Sequence, residues 1–222
     1  MRINNIFVHN WFAILYFNFK MLPFKQAIRL PFDFYGKIRF QGLTGRVILD
    51  THNLKIGCIK IGSQGCDMFP KSETVLTING EWLVKGKFIL GMGSSLIIKR
   101  GGRFSCGDGV NIGPRSLVFC QEDITLNENF LSSWDCQIMD TDTHQIIDLS
   151  TNRVNEYIKP VLVGSDVWIG NGVIINKGCI LASNTIVASR SLCNKDYSSE
   201  GCNCILAGAP AKIVARNKSW KK

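Results

Sequence analysis

Between Val163 and Leu192 the apolar positions recur every sixth residue: Val163, Ile169, Ile175, Leu181, Val187 and, one step on, Cys193. The residues that follow them are Gly164, Gly170, Asn176, Ala182, Ala188 and Asn194, all small or tolerant of a turn. An amphipathic helix spaces its apolar residues three or four apart and a half-buried strand alternates them, so neither describes this period. A period of six suits a coil shaped as a triangular prism. Each flat side is then one short strand plus a corner, with the bulky residue inside and the small one letting the chain turn. The spacing also runs upstream through Ile112, Val118, Ile124, Phe130 and Cys136. The competing explanation is a sandwich whose strands fall six apart by coincidence; eleven successive matches in a chain that is 45% apolar disfavour it.

The period emerges unevenly from about Val47, where "KIGCIKIGSQG" reads as an early corner, and passes through strand-and-glycine sequence with slipped registers before the clean hexads at Ile112. A polar stretch, "TDTHQIIDLSTNRVNEYIK", interrupts it and predicts a loop at about 142–160; the repeat resumes at Val161 and stops near Gly208 and Pro210. A loop of that length inside a regular array is more often functional than structural. The expected organisation is an N-terminal segment 1–46, a solenoid 47–208 and a tail 209–222. The N-terminal segment is rich in aromatic residues and broken by Pro23 and Pro31, which predicts short helical pieces. Such pieces suit a plug over the apolar end of the solenoid, a contact with a membrane surface or a partner subunit, or both together.

At 222 residues the chain suffices for one sizeable domain. Its nine cysteines are odd in number and scattered without a CxxC pair, and Cys202 and Cys204 stand too close for a usual zinc knuckle. A reduced, cytoplasmic protein is the expectation. No run approaches the ~20 apolar residues of a membrane span, and the start lacks the order of a secretory signal. The net charge of +9 is uneven: residues 1–46 carry seven Lys and Arg against one Asp, residues 206–222 carry five and no acid, and the middle is left at −2. A nucleic-acid binder spreads basic charge along a face with interleaved aromatics, which this chain does not.

The stretches "PVLVGSDVWIGNGVIINKG" and "LAGAPAKIVAR" resemble the hexapeptide-repeat O-acetyltransferases, notably the branch that decorates bacterial surface polysaccharides. The general plan is similar to that of galactoside and maltose acetyltransferases. The resemblance implies an all-β left-handed parallel β-helix, a homotrimer with active sites between neighbouring prisms, acetyl-CoA as donor, no metal, and a glycan or lipid-linked glycan hydroxyl as acceptor. It also implies a catalytic histidine ahead of the "VWIG" tryptophan. His144 stands 24 residues before Trp168.

The chemistry agrees. An alcohol is a poor nucleophile at neutral pH, and imidazole is a base of suitable strength to activate it against a thioester. Asp140 and Asp142 are both near enough in sequence to hold the ring's tautomer. Taken alone, "DTDTH" is equally a solvated loop, and two Asp and a His also suit a metal. No role is assigned to His9 or His52. Trp168 either covers a prism corner or lies beside the active site; Trp134 is a candidate for the acceptor wall. For CoA the resemblance carries over Asn171, Ser189, Asn194, Lys195 and Lys212, with the lysines as point charges for phosphates. Arg190 departs from the family pattern, standing where a small residue is expected. It either projects outward to the phosphates or reshapes the channel. Rival functions are N-acetylation of an aminosugar, a non-catalytic solenoid scaffold, and a carbonic anhydrase on the same prism, which needs three converging imidazoles from a chain with only three histidines.

Overall fold

The structure, a computed structural model, describes residues 9–51, 54–63 and 69–221; His52 and residues 64–65 of the early corner lie outside these. Three sheets of nine, seven and six strands, parallel except for the last strand of the first, wrap one apolar interior, joined so that the chain visits the first, second and third face in turn. One late coil illustrates the circuit: Trp168–Ile169 on the first face, Ile174–Ile175 on the second and Ile180–Leu181 on the third. All eleven hexad positions are buried. A second interior row, unforeseen in the period-six reading, lies two residues before each bulky one: Val167, Val173, Cys179, Thr185 and Ser191 are buried too.

Coil length changes along the axis. Ile89 pairs with Asn111, 22 residues on; Leu117 with Gln137, 20 on; Trp168 with Ile186, 18 on. The residues that fill the interior explain the taper. In the wide coils Trp82, Phe88 and Phe104 are fully buried, with ring centroids 5.2 Å apart for Trp82–Phe88 and 6.2 Å for Phe88–Phe104. The narrow coils close on Val, Ile, Leu and Cys. A prism filled to native density must be as wide as its fillers. The spacing of six from Ile112 to Cys136 is therefore met in burial but not in coil length. Longer strands there turn two alternate residues inward, as Val118 and Cys120 do. Corners stay tight because rungs touch: a Cβ on Gly113 would stand 2.2 Å from the Ser133 carbonyl oxygen.

The stack begins earlier than residue 47. Phe32–Phe34 pairs with Ile59–Ile61, and Ile38–Gly42 with the strand from Thr74. Ahead of it lie the expected helical pieces, α1 (Trp11–Met21) and α2 (Phe24–Ala27). The side chain of Asn10 caps α1 by accepting from the Ala13 N–H. Buried Asn18 pins α1 to the first strand: its Nδ2 donates to the Ile14 and Phe32 carbonyls, and its Oδ1 accepts from the Phe32 N–H. At the other end Cys204–Gly208 closes the first face, and Ala211–Arg216 folds back antiparallel on it, so the tail is partly ordered strand.

Six of the eight described cysteines are buried and Cys202 is exposed. Burial pushes the Cys106 thiol up to about 12 and that of Cys136 to about 11, so the reactive thiolate is scarce at both. Iodoacetamide applied to the native protein and read by peptide mass mapping is expected to label Cys202 and spare Cys106, Cys136 and Cys193. Prompt labelling of the interior thiols would contradict the packed prism.

Candidate functional site

The predicted site residues fall on different edges of the prism. On the edge between the first and second faces, successive corners stack as rungs. The Gly172 N–H donates to the Trp134 carbonyl at 3.0 Å, and the Arg190 N–H to the Asn171 carbonyl at 2.8 Å. Trp134, Asn171, Ser189 and Arg190 thus share one ladder. Arg190 takes a left-handed conformation (φ 58°) at the tip of its corner, a place also held by Arg115, Asp135 and Gly172 in other coils. Its side chain is exposed. Beside this ladder, the Arg115 guanidinium sits 4.4 Å from the Phe69 ring centroid, and Phe69 stands 6.4 Å from Trp134.

The edge between the second and third faces carries the polar insertion. It is an exposed arm, with Ile147–Asp148 paired antiparallel to Arg153–Val154 and a bridge between Thr141 and Ile158 closing its base. His144 is exposed on this arm, its Nδ1 2.9 Å from Thr143 Oγ1. That bond fits either tautomer; the one in which Nδ1–H donates leaves the Nε2 lone pair to accept a proton.

Within the chain the carboxylates of Asp140 and Asp142 are bonded to groups other than the His144 ring. Asp140 is fully buried and accepts the backbone N–H groups of Gln121 (2.8 and 3.1 Å) and Glu122 (2.7 Å). Asp142 pairs with Lys177 Nζ at 2.8 Å, and the same Nζ donates to the Glu156 carbonyl at 2.7 Å. Both acids hold the root of the arm, where the chain leaves the coil and must re-enter it. Asn194 and Lys195 occupy this edge too. Lys195 is drawn to Glu200 (3.9 Å) and lies over the Tyr197 ring at 5.1 Å.

Trp168 opens its strand on the first face, half-buried, with the ring of Trp220 at 6.2 Å. Trp220 is fixed there by its indole N–H, which donates to the Asp166 carbonyl at 2.8 Å. The sequence places Trp220 in the C-terminal tail and gives it no role. The available signal was a lone tryptophan among lysines, a residue with a large apolar surface to bury. Lys212 is exposed on the terminal strand opposite Ala207. His9, given no role, bonds Asp33 at 2.8 Å near the N-terminal end. Among the described residues no three His, Cys, Asp or Glu side chains converge as a metal site requires.

No protein-family model matches the chain. A polysialic acid O-acetyltransferase of Escherichia coli O1:K1 / APEC is 32% identical over 139 residues, 63% of this chain; the match spans only 42% of that relative's length. An uncharacterized 24.8 kDa protein in the cps region of Klebsiella pneumoniae is 30% identical over 205 residues, covering 91% of this chain and 87% of its own. Among solved structures, the polySia-specific acetyltransferase NeuO superposes with a TM-score of 0.55 at 22% identity, covering 85% of this chain and 89% of that one. That likeness gives the prism its hand, the left-handed coil that the resemblance implied. Repeat, fold and relatives agree, and the chain belongs to the hexapeptide-repeat left-handed β-helix proteins, in one family with the protein of the cps region.

Proposed function

We propose that this chain moves an acetyl group from acetyl-CoA to a hydroxyl of a surface polysaccharide or its lipid-linked precursor. His144 is the general base, and the site lies between neighbouring copies of a homotrimer. In this reading the acceptor oxygen attacks the thioester carbonyl as His144 takes its proton; the carbonyl reforms as the C–S bond breaks, and the proton passes to the departing CoA thiolate. Trp134 lines the acceptor side. Asn171 and Ser189 line the groove for the pantetheine, and Arg190, Asn194, Lys195 and Lys212 face the CoA phosphates. Trp168 packs on the reacting end, with Trp220 as a further wall beside it. The reaction belongs in the cytoplasm, where acetyl-CoA is made and thiols stay reduced, and a peripheral membrane contact would keep the enzyme near a lipid-linked acceptor.

One observation carries the reading. His144 hangs from one edge while the Trp134–Asn171–Ser189–Arg190 ladder runs along another, with the second face between them. A base and a cofactor groove on different edges of one prism meet when a second copy lays its groove against the first copy's arm, and the second wall also keeps water from the thioester.

Mixing tests this. His144→Ala and a groove variant, Trp168→Ala with Arg190→Glu, are each expected to be nearly inactive. Co-refolded one to one, they should recover about a quarter of wild-type sites, the share in which an intact arm meets an intact groove. Light scattering of the wild type should give three times the mass of one chain. A fully active monomer, or mixing without any recovery, would count against a shared site.

A further inference from the structure

The N-terminal helix is apolar on two sides. Ala13, Ile14, Phe17 and Met21 are buried against the end of the prism, where the Phe17 ring stands 4.8 Å from Phe32 and 5.2 Å from Phe34. That side is a solenoid cap, and Phe17 is unavailable for anything else. The opposite side carries Phe12 (78% exposed), Leu15 (49%), Tyr16 (44%) and Phe19 (48%), one stripe at helical spacing. Just beyond, Phe24 (71%) and Ile28 (56%) continue it. A cap needs one apolar face; this helix spends large side chains on a second that the chain itself does not bury.

Charge identifies the occupant. Lys20, Lys25 and Arg29 are exposed around the stripe, and no acid occurs from His9 to Phe32. A second copy packed face to face would set these cations against their own twins. An anionic lipid surface takes the apolar side chains at the acyl boundary and the cations at its headgroups. No helix among the described residues is long and apolar enough to cross a membrane, so contact is from one side.

We infer that the outer face of α1, with Phe24 and Ile28, is a docking surface for an anionic bilayer. This deepens the peripheral contact proposed above and rests on that reading. It also sets a geometry. The patch is at the end of the prism, so the coil axis stands away from the lipid. Trp168 lies five strands along the first face from Phe32–Phe34, roughly 24 Å at the usual strand spacing. An enzyme so docked reaches an acceptor group well above the headgroups, on an extended lipid-linked chain rather than on its first sugar.

Vesicle co-sedimentation of the full chain tests the inference, using phosphatidylglycerol/phosphatidylcholine vesicles, pure phosphatidylcholine vesicles, and low and high salt. Two variants are compared, Phe12→Glu/Phe19→Glu and Lys20→Glu/Lys25→Glu/Arg29→Glu, each checked for an unchanged melting temperature. The wild type should bind the anionic vesicles, more weakly in high salt. Each variant should lose at least about ten-fold in affinity, since one basic residue alone is worth about five-fold. No binding by the wild type, or binding that both variants retain, overturns the proposal. So does a wild-type mass above a trimer that Phe12→Glu/Phe19→Glu reduces, since the stripe would then be an interface between copies. Acetyl transfer to a water-soluble acceptor, measured in parallel, should be equal in all three proteins. Its absence with vesicle binding intact would fault the transferase reading and not this surface.

Discussion

Replacing His144 with alanine is expected to lower acetyl-transfer turnover by about two to four orders of magnitude, with the KM for acetyl-CoA nearly unchanged. A sugar hydroxyl keeps its proton at neutral pH, and its attack on the thioester is slow unless a base removes that proton in the transition state. His144 is exposed on the arm, with Nδ1 bonded to the Thr143 hydroxyl; in the tautomer whose Nδ1–H donates, Nε2 is left for the task. Its ring packs into no core, so the alanine variant should melt where the wild type does. A small loss of turnover would remove His144 from the chemistry; a large rise in the KM for acetyl-CoA would make it a binding residue instead.

Asp140→Ala should do the opposite, costing stability more than chemistry. The carboxylate is fully buried and accepts the N–H groups of both Gln121 and Glu122. Removing it leaves two backbone donors without their acceptor where the chain leaves the coil for the arm. Each such group costs about 1–3 kcal/mol, giving a total of about 2–6 kcal/mol and a fall in Tm on the order of 10 °C. Asp140→Asn keeps one acceptor oxygen and should fall between. Turnover per folded molecule at low temperature should stay within about ten-fold of the wild type, since the carboxylate does not touch the imidazole. A variant that melts normally but has lost turnover would restore Asp140 to a catalytic role.

The contrast between these two residues marks how far the sequence is legible. A repeat is a local rule, so the interior could be named from spacing alone: every sixth residue from Val163 to Cys193 is buried. The coil lengths upstream could not. There the diameter depends on Trp82, Phe88 and Phe104 packing across the interior, a relation between residues on different faces that no short window contains. At the arm, proximity in sequence does not fix side-chain partners. Asp140 and Asp142 stand within four residues of His144, yet backbone donors claim one and Lys177 the other. Trp220 was missed because its partner, Trp168, is 52 positions away and only the folded tail brings them together. The N-terminal segment offered two readings, cap or membrane, because a helix apolar on two sides satisfies both. The structure assigns Phe17 to the cap and leaves Phe12 and Phe19 outside.

Acetyl transfer itself can be measured directly. The purified chain is incubated with acetyl-CoA and a panel of oligosaccharides from bacterial surface polysaccharides, with CoA release followed and each acceptor weighed by mass spectrometry. The expected result is an acceptor heavier by one acetyl group, matched by the CoA released and stripped by mild base as an O-ester is. An added acetyl that resists base would move the chemistry to an amine. Without an acetylated acceptor anywhere in the panel, the chain would be a scaffold built on an enzyme's fold.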